Sequence, residues 1–417
     1  MSCRDSIRDF SKKSSIRQIT HARRRWSGVR DCVSRQTRVI MDKLYLKADS
    51  LRELRQRGHD PQAILQRIAA IDRSELKLPD YRRTIVQKAC SDLLSEESSP
   101  DRFSLRPHVV EELSRVSQAD LPRYLFYRYR YDVFPKSRTV DDFPPCLQIE
   151  PTSICNYRCV FCYQTDSHLT DARGGHMGMM SYDLFRKIID EAEGKCEAIT
   201  LASRGEPLVC RDIVKMLAYV RGKFLGLKIN TNASLLDEEK AHAILQSGAN
   251  TLVFSADAAA EPLYSQLRVN GKLERVQANV ERFLEIRRRD YSASNLITRV
   301  SGVRYNSAQN LDQMEKFWGE LVDQVAFVDY NPWENTYQRP VNNVSTPCSD
   351  LWRRMFVWFD GTVNPCDVDY LSTLKVGNAR NEGLSALWTG PKYSAYREAH
   401  LAHRRNSLSP CQRCTVI

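Results

Sequence analysis

Six times between residues 146 and 335 the chain sets a short β-branched or apolar run before an amphipathic stretch, and nothing else in the sequence restricts the fold as much. The runs are 147–151, 198–201, 227–231, 251–255, 296–300 and 325–330. Between them lie stretches of helical period such as 182–192, where Leu184, Ile188 and Ile189 share one side, and Gly248 suits the end of another helix. Strand–helix units in series call for parallel strands joined by right-handed crossovers. Eight would close a full barrel. Six predict an α/β fold built on a partial (β/α)6 barrel, with the active site at the carboxyl ends of its strands.

The flanks read differently, which divides the chain into a helical N-terminal region (1–145), the partial barrel (146–335) and a small C-terminal domain (336–417). Asp60-Pro61 fits a helix start, followed by Ile64, Leu65, Ile68 and Ile71 at helical spacing, and a second stripe runs through Tyr81, Ile85, Val86, Ala89 and Leu93. The aromatic stretch Tyr124, Phe126, Tyr127, Tyr129, Tyr131 and Phe134 reads as a docking surface for the next domain, with a substrate clasp as the other use. Pro144-Pro145 cannot continue a helix and marks the boundary. Residues 1–60 hold sixteen Lys/Arg against seven Asp/Glu, out of a net charge of +11 for the whole chain. Clusters such as Arg23-Arg24-Arg25 suit a phosphate or an acidic partner, but the interspersed Asp5, Asp9, Asp31, Asp42 and Asp49 favour a solvated face. No apolar stretch of about 20 residues is present and no secretory signal opens the chain, so a cytoplasmic protein without a membrane segment is expected.

Thirteen cysteines in a long chain of this kind point to reduced thiols and metal ligands rather than disulfides. Cys155, Cys159 and Cys162 come directly after the first strand, and Cys348, Cys366, Cys411 and Cys414 lie in the last seventy residues. The other six (Cys3, Cys32, Cys90, Cys146, Cys196 and Cys210) are scattered, as buried or incidental residues are. Three thiolates bind three irons of a four-iron cluster and leave the fourth open. Zinc is the competing reading, yet it needs four ligands and only His168 and His176 are near.

The Cys-x3-Cys-x2-Cys spacing behind a first barrel strand resembles the signature of the radical S-adenosylmethionine (SAM) superfamily. The resemblance implies a [4Fe-4S] cluster whose open iron is chelated by SAM, and a 5′-deoxyadenosyl radical that abstracts hydrogen from substrate. It places Phe161 beside the adenine. Ser203-Arg204-Gly205-Glu206-Pro207-Leu208 is similar to the family's Gly-Gly-Glu-Pro turn, which receives the SAM ammonium, with Arg204 standing where the family has its first glycine. The same resemblance assigns Asn230 and Asn232 at the third strand end, Ser255 and Asp257 at the fourth, and Arg268 to cofactor contacts. The four late cysteines, set around a Gly361-turned hairpin and a terminal Cys-x2-Cys, resemble a SPASM/twitch extension and imply one auxiliary [4Fe-4S] cluster. A zinc ribbon is the alternative there.

The outcome of hydrogen abstraction is left open by the residues. A carbohydrate or other small polar substrate, a phosphate-bearing sugar among the candidates, is the first reading, with epimerisation, dehydrogenation or dehydration as the result and flavodoxin or ferredoxin as electron donor. Modification of a ribosomal peptide is the second. A non-catalytic iron–sulfur or electron-transfer protein is the alternative from another class, and nucleic acid is disfavoured as a partner. Glu150, Asp329 and Glu334, near strand ends, are candidate bases or hydroxyl anchors, against a structural reading as paired carboxylates. Cys210, and behind it Cys196, is the candidate hydrogen donor, against burial as an inert thiol.

Overall fold

The computed structural model describes residues 51–55, 60–73, 76–95, 97 and 99–417. Arg23, Arg24, Arg25, Cys3 and Cys32 lie outside the described residues. Six parallel strands form the centre of a ten-stranded sheet: β2 (Cys146–Ile149), β3 (Ala198–Leu201), β4 (Gly226–Thr231), β5 (Thr251–Ser255), β6 (Ile297–Arg304) and β7 (Gln324–Asp329). They are neighbours in chain order, as a (β/α)6 partial barrel requires. β2 is buried throughout and β4 alternates, and the helices between the strands bury one apolar stripe: in Tyr182–Ala192 it is Leu184, Phe185, Ile188, Ile189 and Ala192. Gly248 has φ +78 just beyond the helix Glu238–Gln246, the left-handed stop that the sequence suggested.

Two additions at the sheet's edges lay beyond the sequence reading. β1 (Leu51–Arg55) pairs antiparallel with β7, Leu51 opposite Val328, so the N-terminal region contributes a strand as well as helices. At the other edge β8 (Arg354–Val357) runs parallel to β2, and β9 (Thr362–Asn364) and β10 (Gly377–Asn378) continue antiparallel. The C-terminal hairpin therefore extends the barrel sheet itself, covering the edge strand β2.

The N-terminal helices are α1 (Pro61–Ala69), α2 (Asp80–Leu94), α3 (Pro107–Arg115) and α4 (Leu121–Ser137). Asp60 caps α1 by accepting from the Gln62 N–H at 2.9 Å, and Ile64 and Ile68 go into the core. Tyr81 departs from its stripe. It is half exposed, its ring edge-on to Phe126 at 6.3 Å. The aromatic stretch buries Tyr124, Phe126, Tyr127, Tyr129 and Phe134 in a core shared with Cys146 and Ala198. Its polar contacts reach the amino ends of strands. Arg123 pairs with Glu197 at 2.8 Å, Arg115 donates to Asn295 O at 3.1 Å, Gln324 donates to Glu111, and Arg354 donates to the Tyr131 hydroxyl. α3 and α4 thus form the floor of the barrel, at the end opposite the cysteine loop. Among the described residues no helix is long and apolar enough to cross a membrane.

Candidate active site

The loop after β2 carries the first cysteines, and a two-residue ladder, Arg158–Cys159 against Arg268–Val269, fastens it to the segment beyond β5. Cys155, Cys159 and Cys162 belong to one apolar cluster with Tyr157, Phe161, Leu267 and Tyr330. Burial and the nearby Glu206 charge push the Cys155 thiol up to about 12, and burial with Cys159 beside it pushes Cys162 up as well. Two donors offset this. The Tyr157 N–H reaches Cys155 Sγ at 3.4 Å, and Arg268 Nη1 reaches Cys159 Sγ at 3.7 Å. Arg268 is held by an ion pair of 2.6 Å to the buried Asp257, whose other oxygen accepts from the Val303 N–H. Both residues therefore face the cysteine loop, with Phe161 packed on Tyr305 at 5.7 Å.

The loop after β3 lies directly against it. A Cβ on Gly205 would fall 2.3 Å from Thr152 O and 2.6 Å from Ile154 O, so only glycine fits. Gly205→Ala is expected to displace the cysteine loop and to lower the iron content of reconstituted protein, measured by iron assay against wild type. Glu206 is buried and accepts from Thr231 Oγ1 (2.6 Å), the Asn232 N–H (2.7 Å) and the Leu208 N–H (3.1 Å), tying this loop to the end of β4. Pro207 starts the short turn Pro207–Val209 behind it. Asn232 donates to Asn156 in the cysteine loop at 3.0 Å. Ser255 sits half-buried at the end of β5.

Arg204 and Glu150, expected to serve cofactor and catalysis, are turned on each other. Arg204 donates to both Glu150 oxygens (Nη2 at 2.7 Å, Nε at 2.8 Å) and to Tyr370 O, and its guanidinium stacks 4.4 Å over Trp358. Glu150 is fully buried and also accepts from the Phe359 N–H. Every Arg204 nitrogen is occupied, so the side chain in the glycine position braces the barrel against the C-terminal hairpin. Asp329 is ion-paired with Arg304 at 2.6 Å, and Cys210 is buried in the main apolar core, its thiol pushed up by burial. Cys196 is buried next to Cys146, at the amino end of β3.

Glu334 stands apart from these. It lies in the turn Trp333–Asn335, which packs against Tyr163–Thr165 just after Cys162. The Tyr330 hydroxyl donates to its Oε1, while its Oε2 is buried with no hydrogen-bond partner, and burial raises its carboxyl above the usual carboxylate range. Ser203 Oγ and Asn230 Oδ1 are likewise buried without partners. These three orphaned atoms belong to loops and strand ends at the barrel mouth.

The second cysteine set gathers on the far side of Glu334. Cys348, Cys366 and Cys414 share a pocket with Val368, Val416 and Trp333, and the Cys411 thiol is pushed up by burial and by Cys414 and Cys348. Backbone N–H groups of Val368 and Val416 reach Cys366 Sγ and Cys414 Sγ at 3.3 and 3.4 Å. Arg405 fixes the terminal segment through Thr346 O, Val416 O and Cys414 O. Sequence reasoning missed the residues between the two sets. Arg339, buried, donates to Asn331 Oδ1 at 2.8 Å within reach of both Cys414 and Glu334, and Tyr370 stacks on Tyr163 at 5.2 Å. Only their position beyond the sixth strand could have flagged them.

Two stretches of the chain match known protein families. Residues 149–309 match the profile of the radical SAM superfamily, and residues 348–415 that of SPASM, an iron–sulfur cluster-binding domain. The chain is 35% identical over 113 residues to the tungsten-containing aldehyde ferredoxin oxidoreductase cofactor-modifying protein of Pyrococcus furiosus, covering 27% of this chain and 30% of that protein. It is 27% identical over 189 residues to the AdoMet-dependent heme synthase of Methanosarcina barkeri, covering 45% and 50%. The chain thus spans half or less of the length of these curated relatives. SuiB of Streptococcus suis, solved bound to the precursor peptide SuiA, aligns over 82% of this chain and 84% of that chain, with a TM-score of 0.51 and 15% identity, a likeness of fold.

Proposed function

Because this chain belongs to the radical SAM superfamily, with a [4Fe-4S] cluster, SAM and an auxiliary iron–sulfur cluster as its cofactors, we propose that it is an enzyme that takes hydrogen from a carbohydrate or another small polar substrate. When bound, the first cluster and SAM supply a 5′-deoxyadenosyl radical. The donor set fits them. Cys155, Cys159 and Cys162 are three thiols in one side-chain cluster, two of which receive hydrogen bonds, as cluster ligands do. Cys348, Cys366, Cys411 and Cys414 supply four for the auxiliary cluster. Ser203 Oγ and Asn230 Oδ1 are acceptors suited to the SAM ammonium, with Phe161 as an apolar wall, while Gly205, Glu206, Pro207 and Asn232 shape the loop. Asp257 and Arg268 steady Cys159.

The observation that carries the substrate reading is the orphaned Glu334 Oε2. A carboxyl oxygen buried without a partner is costly unless a ligand hydroxyl or amine completes it. Glu334 then anchors the substrate or takes its proton, with Tyr330 fixing the rotamer. Glu334→Gln is expected to lower kcat by about 10²-fold or more while SAM binding is unchanged. Because burial raises this carboxyl, the base form appears only above the ordinary carboxylate range; the wild-type rate should rise with pH there and the variant's should not. A small electron-transfer protein, flavodoxin or ferredoxin, is the proposed reductant.

The test is substrate-stimulated formation of 5′-deoxyadenosine by reconstituted protein with SAM and dithionite. Low-mass polar fractions are expected to stimulate it. Stimulation by peptides alone overturns this reading in favour of peptide modification, the second reading, which the peptide-bound SuiB suggests at the level of fold only.

A further inference from the structure

One cation of the barrel takes no part in either cysteine pocket or in the Glu334 turn. On β4, Leu227, Ile229 and Thr231 are buried, whereas Gly226, Lys228 and Asn230 are only half-buried. With side chains alternating across the sheet, the second set faces the lumen, and Lys228 lies in register with Thr200 on β3 and Thr251 on β5. Its remaining surface is internal. Burial, with Arg299 and Arg354 next to it, brings the ammonium down to about 8, which a lysine open to bulk water would not show. Among the described residues Lys228 has no hydrogen-bond or ion-pair partner.

Its neighbours are cationic as well. Arg299 of β6 donates to Gln324 Oε1 at 2.6 Å, and Arg354 of β8 donates to the Tyr131 hydroxyl, so three cationic side chains from three strands meet over the floor made by α3 and α4. Glu112 is the carboxylate whose charge reaches Lys228, and it is already engaged by the Tyr124 hydroxyl at 2.6 Å and by Arg128. A buried ammonium without a partner is costly, and the cost is offset when it faces an anion. Lys228 precedes Asn230 by two residues, so an anion held there sits about 7 Å below the strand ends, leaving the rest of a small molecule at the mouth.

We propose that the floor of the barrel lumen is a subsite for an oxyanion carried by the substrate, a phosphate or a carboxylate, with Lys228 as its principal donor and Arg299 beside it. This rests on the reading of the chain as an enzyme of small polar substrates, and it adds the chemical handle by which such a substrate is held.

The test is anaerobic titration calorimetry of the reconstituted full chain with SAM, using inorganic phosphate, pyrophosphate and succinate as probes. Lys228→Met is expected to weaken binding by about tenfold or more, and Lys228→Arg, which keeps the charge, by about threefold or less. Binding of the phosphates but not succinate assigns a phosphate handle; the reverse assigns a carboxylate. Failure of every probe to bind, or equal binding by wild type and Lys228→Met, overturns the subsite. Formation of 5′-deoxyadenosine without substrate, measured on the same samples, reports separately on the radical chemistry, so loss of one does not stand for loss of the other.

Discussion

Arg204→Met is expected to destabilise the protein by about 3–5 kcal/mol, because it leaves the Glu150 carboxylate buried without its counter-ion. The pair has 2.7 Å geometry and no access to water, so solvent cannot take over the lost hydrogen bonds. The same guanidinium binds Tyr370 O and stacks on Trp358, and Glu150 receives the Phe359 N–H, so the pair joins β2, the loop after β3 and the C-terminal hairpin. Glu150→Gln combined with Arg204→Met is expected to recover a large part of the loss, since both charges are then gone. Denaturant titration of wild type, both single variants and the double variant measures the coupling. Additive losses would mean that the two residues act independently and that the bracing role is mistaken.

The pair also marks how far the sequence could be read. Strand order, helix stripes and the two cysteine sets are legible because they depend on local period and spacing: Ile64 and Ile68 turn inward where a 3.6-residue repeat puts them, and the strands 198–201 and 251–255 have the limits that their apolar runs have. Side-chain partners that come from distant segments are not legible in this way. Arg204 meets Glu150 across 54 residues and Tyr370 across 166, and nothing near Arg204 in the chain announces either. The same holds for Glu206, whose three donors include the end of the next strand, and for Arg268, whose partners Asp257 and Cys159 come from separate loops of the mouth. A strand-end position correctly drew attention to Glu150, Asp329 and Glu334 together. It could not separate them, because the difference is a direct ion pair: Arg204 for the first, Arg304 for the second, and for Glu334 a tyrosine hydroxyl with one oxygen left over.

The floor made by α3 and α4 has a consequence for access. With the amino ends of the strands closed by Arg115, Arg123 and the Tyr131 hydroxyl, a substrate enters from the mouth, where the turn Trp333–Asn335 and Tyr370 stand between the two cysteine sets. The C-terminal segment therefore forms one wall of that entrance. Its cysteines cluster with Trp333 of that turn, and this distinguishes the effects expected on removing each set.

Cys159→Ala is expected to reduce 5′-deoxyadenosine formation to the background of the assay and to lower bound iron by about half, since each of two four-iron sites holds the same number of atoms. The cluster around Cys159 holds two other cysteines, so a set of three ligands has no spare, and Arg268 loses the sulfur it donates to, so its charge is left with Asp257 alone. Cys414→Ala is expected to lower iron by a similar share, but to leave measurable SAM cleavage without substrate, because the first pocket shares no buried residue with the second. Its cost falls on turnover: Cys414 neighbours Arg339, and Arg339 with Asn331 holds the turn that carries Glu334. Iron content, absorption spectra and 5′-deoxyadenosine yield for the two variants, prepared anaerobically side by side, decide the matter. If Cys414→Ala abolished SAM cleavage as fully as Cys159→Ala, the two sets would form a single cooperative site, and the separation of radical generation from substrate positioning would have to be abandoned.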